Sequence, residues 1–125
     1  MKLQPDRLEG INAVTACAPG SVRVNSQLYT NSLLLPWSGA VLPWSCANFD
    51  ALTVQHFEAL LGLNPELVIF GSGQRLRFAS PSLLCPLIEQ RIGIETMDTA
   101  AACRTYNVLA HEGRNVVAAL LLDHA

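Results

Sequence analysis

The sequence predicts a single α/β domain, three layers deep, with a central mixed β-sheet, antiparallel N-terminal strands and a βαβα pattern in the C-terminal half. Three observations carry this reading. The 125 residues are 50% hydrophobic and 14% charged, which suits one folded core and excludes a disordered chain. Short β-like runs separated by turn residues fill positions 11–36. From Thr53 onward helical and strand patterns alternate, and that alternation implies helices packed on a sheet with right-handed crossovers.

Residues 1–10 are expected to form a loosely ordered lead-in, and 11–125 the domain. Asn12–Ala16, Val22–Val24 and Leu28–Leu35 read as strands, with turns at Pro19-Gly20 and Asn25-Ser26. Val22 and Val24 alternate with Arg23 and Asn25, the pattern of a strand with one wet face. Leu33-Leu34-Leu35 is continuously apolar and belongs deeper. Together these runs form an antiparallel meander.

Thr53–Leu61 reads as a helix. Thr53 is its N-cap, Leu52 and Phe57 supply a hydrophobic staple, and Gly62 with Pro65 ends it. Leu67–Phe70 is a buried strand that feeds Gly71-Ser72-Gly73. A second helix is expected from about Ser82 to Arg91, with Pro81 suited to its first turn, Pro86 inside it and Gly93 behind it. Ile94–Met97 is the next strand. Asp98 caps a third helix, Thr99–His111, whose inward face is Ala102, Cys103, Tyr106, Leu109 and Ala110. Gly113 stops it, and Asn115–Leu122 is apolar enough for a central strand.

The formal net charge is −2 and the basic residues are scattered, so nucleic acid and anionic lipid are not expected partners. The longest apolar run, Val116 to Leu122, falls far short of the roughly 20 residues that span a bilayer. Met1 to Arg7 lacks the apolar centre of a signal peptide, and a cytoplasmic chain is expected. Cys17, Cys46, Cys85 and Cys103 contain no Cys-x-x-Cys pair, which argues against a zinc ribbon or a thioredoxin-like motif. Reduced, mostly buried thiols are expected, with Cys103 a small core residue. No metal or cofactor is expected.

Gly71-x-Gly73 fails as a dinucleotide fingerprint. Position 76 is Leu, and Ser80-Pro81 postpones the helix that would meet a pyrophosphate. If strands 67–70 and 94–97 are neighbours, however, Ser72 and the Asp98-Thr99 cap emerge on one rim. Free backbone amides at Gly71 and Gly73 and at the helix start would make that rim positive, and Arg75, Arg77 and Arg104 reach towards it. Gly71, Ser72, Gly73, Thr99 and Arg104 are therefore the candidate ligand cleft, suited to an anion or polar small molecule. For Asp98, capping alone, worth ~1 kcal/mol, is sufficient reason.

The near-repeat Leu35-Pro36-Trp37-Ser38 and Leu42-Pro43-Trp44-Ser45 places both tryptophans on or beside a loop. They either fold back as a lid over the core or form a partner surface. Nucleophilic catalysis finds no support. Cys103 and His111 share a helix face but lie roughly 12 Å apart along the axis. His56 reads as a solvated histidine, Glu95 has no second carboxylate beside it, and His124 belongs to a terminus expected to fray.

The last third also carries a resemblance. Glu95-x-Met97-Asp98-Thr99, Ala102-Cys103-Arg104-Thr105-Tyr106-Asn107, Glu112-Gly113-Arg114 and Ala118-Ala119-Leu120, with Gly71-x-Gly73 and Trp44, match one family closely. The chain resembles a bacterial member of the small α/β domain family that includes mitochondrial NADH dehydrogenase (complex I) assembly factor 3. The match covers about residues 11 to 122. Where the family commonly has Gly-Thr-Gly, this chain has Gly71-Ser72-Gly73. The resemblance implies a three-layer fold with a mixed sheet and, for the mitochondrial relative, a non-catalytic part in assembling a respiratory membrane complex.

Two functions are expected from these readings. The first is a non-catalytic assembly-type module that binds a partner protein of an inner-membrane complex, with Trp37 and Trp44 as the candidate surface; a homodimer is compatible with it. The second is a small-ligand binder or enzyme at the Gly71-Ser72-Gly73/Thr99 cleft.

Overall fold

The computed structural model describes residues 10–123. The expected lead-in, apart from Gly10, lies outside the described residues, as does His124.

The N-terminal meander divides between two sheets. Strands β1 (Val14–Ala18), β2 (Ser21–Val24) and β3 (Gln27–Tyr29) form a small antiparallel sheet. Its turns use left-handed backbone at Gly20 (φ 78°) and at the Asn25-Ser26 pair (φ 50° and 77°). Two consecutive left-handed residues are what a two-residue hairpin with the natural strand twist requires. The expected strand Leu28–Leu35 breaks at Thr30–Ser32. Its second half, β4 (Leu33–Leu35), joins the main sheet instead.

That sheet has the order β5-β4-β8-β6-β7, formed with β5 (Leu42–Pro43), β6 (Leu67–Gly71), β7 (Gly93–Met97) and β8 (Val116–Leu120). β6 runs parallel to both β7 and β8, whereas β4 pairs antiparallel with β8 and with β5. The sheet is therefore mixed. Pro43 is confined to the edge strand, where a missing N–H costs no ladder bond.

Alternation along the central strands sorts the core into two layers. Leu33, Leu35, Ile69, Val116, Ala118 and Leu120 face one side, against Val14, Val22 and Val24 of the small sheet and Ala102, Cys103, Tyr106 and Ala110 of α3 (Thr99–His111). Leu34, Val68, Phe70, Val117, Ala119 and Leu121 face the other, against Trp44, against Phe57 of α1 (Val54–Glu58), against Leu60 and against Leu87 of α2 (Pro81–Glu89). Every residue of β8 is buried, as its unbroken apolar run requires of a central strand.

Helix ends differ from expectation in two places. α1 lasts only to Glu58 and continues as a 3₁₀ turn, Ala59–Leu63, which Asn64 closes in the left-handed region (φ 51°). α2 starts on Pro81, tolerates Pro86 inside, and is reversed by Arg91 (φ 58°) rather than by Gly93, which is the first residue of β7. α3 keeps its expected bounds, with the Asp98 carboxylate accepting from the Ala101 N–H at 2.9 Å.

Candidate functional site

The carboxyl ends of β6 and β7 do converge. Ser72 N–H donates to the Met97 carbonyl (2.9 Å), and Thr99 N–H donates to the Gly73 carbonyl (2.8 Å). The turn after β6 and the start of α3 are thus stitched into one rim. Gly71 is there for close approach. A Cβ at this position would stand 3.0 Å from the Thr99 backbone and 3.1 Å from Leu120. Gly73 is there for its backbone angle, φ +107°, which side-chain-bearing residues rarely adopt.

The two hydroxyls of the rim are turned inward. Thr99 Oγ1 accepts from Gly73 N–H (2.9 Å) and donates to the Leu121 carbonyl (2.8 Å), joining three segments with one buried atom. Ser72, 1% exposed, donates through Oγ to the Arg75 carbonyl (2.7 Å) and accepts from Arg77 N–H (3.0 Å). Of the amides expected to line the rim, the Ser72, Gly73 and Thr99 N–H groups have internal acceptors. Arg104 departs from the expected set as well. It is exposed on α3 and lines neither of the clefts beside the rim.

Those clefts lie on either side of Gln74 and Asp123. One, about 210 Å³, is walled by Cys17, Ala18, Gly73, Thr99 and Leu122 among others. The second, about 600 Å³, is walled by Phe49, Asp50, Ser72, Arg75, Arg77 and Asp123 among others. Its two arginines face two carboxylates, so its formal charge cancels.

What Ser72 holds in place is the stretch between β6 and α2. Arg77 is further fixed by a 2.8 Å ion pair with Asp50 and by its guanidinium lying 4.3 Å over the Phe49 ring. Between and beyond these anchors Leu76 is 53% exposed and Phe78 70% exposed. The sequence reading passed over both. The available signal was two apolar residues alternating with arginines in a segment too polar to be a strand.

The tryptophans fold back as a lid. Trp44 is 4% exposed, donates its indole N–H to the His56 carbonyl (2.9 Å), and meets Phe57 and Phe70 edge-on at 5.9 and 6.2 Å. Such pairs are favourable arrangements of the ring quadrupoles. Its burial takes Trp44 out of the expected Trp37/Trp44 partner surface, because a side chain closed within the core presents no face to a partner. Trp37 is half-buried and donates to the Ala110 carbonyl (2.9 Å). His56 is a tether rather than a solvated residue. One ring nitrogen accepts from Thr53 N–H (2.9 Å) and the other lies 2.7 Å from the Ser45 carbonyl.

The residues Tyr106 and Asn107 also prove structural. The Tyr106 hydroxyl lies 3.0 Å from the carbonyls of both Asn12 and Pro36, and burial pushes its pKa up. Asn107 clasps the Val14 backbone from both sides, accepting from its N–H (2.9 Å) and donating to its carbonyl (2.8 Å). These bonds clamp the first strand onto α3.

With this geometry in hand, comparison with known proteins is informative. The family model described as protein of unknown function (DUF498/DUF598) matches residues 14–121. The chain belongs to this family. A crystal structure of a Bordetella parapertussis protein, 36% identical, superposes with a TM-score of 0.87 over 94% of this chain and all of that one. The bovine NADH dehydrogenase (ubiquinone) 1 alpha subcomplex assembly factor 3 is 34% identical over 104 residues, covering 82% of this chain and 55% of its own length. This chain thus spans about half the length of that relative. A Francisella tularensis protein named 13 kDa major membrane protein is 25% identical over 93% of this chain and 95% of its own. Among the described residues no helix is long and apolar enough to cross a membrane.

Proposed function

We propose that this chain is a non-catalytic, assembly-factor-like module that works in the cytoplasm by docking on a protein partner of an inner-membrane respiratory complex. The observation that carries this reading is the hydrogen-bonded loop at the carboxyl end of β6, which displays Leu76 and Phe78 to solvent. A large apolar side chain displayed on a loop whose backbone is already hydrogen-bonded can fill a partner's pocket with less backbone ordering to supply on binding. The family's bovine member, named as an assembly factor, supports the same direction.

The test is affinity purification from the source cells in mild detergent, comparing the native chain with a Leu76→Ser/Phe78→Ser variant. Respiratory-complex subunits are expected with the native chain and at least tenfold depleted with the variant, at an unchanged thermal midpoint. Equal recovery with both chains would remove the loop from the interface.

A second reading, a small polar or anionic ligand at the Gly71-Ser72-Gly73/Thr99 rim, is favoured by the two clefts that flank it. The internal pairing of the rim amides and the balanced charge of the larger cleft weigh against it. Thermal-shift titration with inorganic phosphate and small carboxylates separates the two readings, since only the ligand reading predicts a saturable rise in midpoint.

A further inference from the structure

One chemical feature lies apart from the loop. In β1, Cys17 is the cross-strand partner of Val22, and directly paired residues of an antiparallel ladder point to the same face. Val22 is 1% exposed and packs in the layer that contains Cys103 of α3. The strand register therefore aims the Cys17 side chain at α3. The Asn107 clasp on Val14 holds the two elements together. Cys103 lies one helical turn before Asn107, and Cys17 three residues after Val14, so the two cysteines meet across the same seam. Cys17 is close enough to the Cys103 thiol to oppose its ionisation. Cys17 is exposed, whereas Cys103 is buried.

We propose that Cys17 and Cys103 are a peroxide-responsive thiol pair, which closes to an intramolecular disulfide between β1 and α3.

The two sulfurs have different tasks. Cys17 is open to a hydroperoxide, and its thiolate attacks one peroxide oxygen. The O–O bond breaks, and the departing hydroxide becomes water with the proton that Cys17 released. Cys17 is left as a sulfenic acid, oxidised by two electrons as the peroxide is reduced by two. The Cys103 sulfur then attacks the Cys17 sulfur, and the S–O bond breaks. The leaving hydroxide takes the Cys103 proton and departs as a second water. The sum is two thiols and one hydrogen peroxide giving one disulfide and two waters.

Burial, and after it the adjacent Cys17, pushes the Cys103 thiol well above its ordinary pKa. Cys103 is thus a poor first nucleophile, which leaves the attack on peroxide to the exposed Cys17. The bond would tie the small sheet to α3 at the wall of the 210 Å³ cleft, where Cys17 and Ala18 oppose Thr99 and Ala100.

The test is exposure of the full chain to graded hydrogen peroxide, alkylation of the remaining thiols under denaturing conditions, and a non-reducing peptide map. A Cys17–Cys103 linked peptide is expected, removed by dithiothreitol and absent from a Cys17→Ser variant. In a Cys103→Ala variant the Cys17 sulfenic acid should persist long enough for trapping by dimedone. Cys17 carried on to sulfinic acid while Cys103 remains alkylatable would overturn the pair, as would Cys17 joined to Cys17 of a second copy. The map of the native chain decides the matter even if the Cys103 variant folds poorly.

Discussion

Thr99 shows how much a single atom carries in this fold. Its Oγ1 satisfies one buried N–H and one carbonyl from two different segments, so Thr99→Val, nearly equal in shape, orphans both. Each buried unsatisfied group costs on the order of 1–3 kcal/mol. Chemical denaturation should show a loss of that size for each group, and Thr99→Ser should restore most of it. Gly71→Ala acts through space instead. The added methyl meets the Thr99 backbone at 3.0 Å, and overpacking of this kind costs about 1–3 kcal/mol; an unchanged midpoint would mean that the rim yields freely. At this scale the sequence put Ser72 and Thr99 on one rim only on the condition that strands 67–70 and 94–97 are neighbours, as β6 and β7 are. It did not show that their hydroxyls turn inward, since that depends on acceptors contributed by Arg75 and Leu121. The clamp by Tyr106 was hidden for the same reason: its acceptor at Asn12 is 94 residues away along the chain.

Among the elements, the helix that the residues specify best, α3, has both a capping carboxylate and a regular apolar face, and its bounds were legible. The breaks in α1 and α2 were less so, because Asn64 and Arg91 take left-handed backbone that glycine usually supplies. The junction between α3 and β8 offers a pH prediction. Glu66 accepts from Asn115 N–H (3.0 Å) and from Arg114 (3.2 Å), and these bonds, the backbone one foremost, hold its carboxyl below the ordinary value of 4.5. A depressed carboxylate pKa contributes stability above the unfolded value and loses it as pH falls through the folded one. The thermal midpoint of the native chain should therefore fall more than that of Glu66→Gln below about pH 4.5. Parallel curves would assign Glu66 no part in acid stability.

For the molecule as a whole, the three-layer mixed sheet could be read from alternation and apolar runs because burial is set by period, and period is visible in letters. The division of the N-terminal meander between two sheets was marked only by Thr30-Asn31-Ser32, a polar interruption within Leu28–Leu35 that shows where the strand can break but not which sheet its second half joins. The exposed loop escaped for a related reason. Leu76 and Phe78 look like core residues until the fold shows that Ser72 and Arg77 pin their backbone outside. A shared fold and family do not transfer a function by themselves, so the partner reading depends on that surface. It is tested most directly by placing a photo-crosslinking phenylalanine analogue at position 78 in living cells. Position 108, where Val108 of α3 is 58% exposed, serves as the comparison. The account predicts a discrete adduct with a respiratory-complex subunit from position 78 and none from 108. No adduct from 78, or equal adducts from both positions, would contradict it.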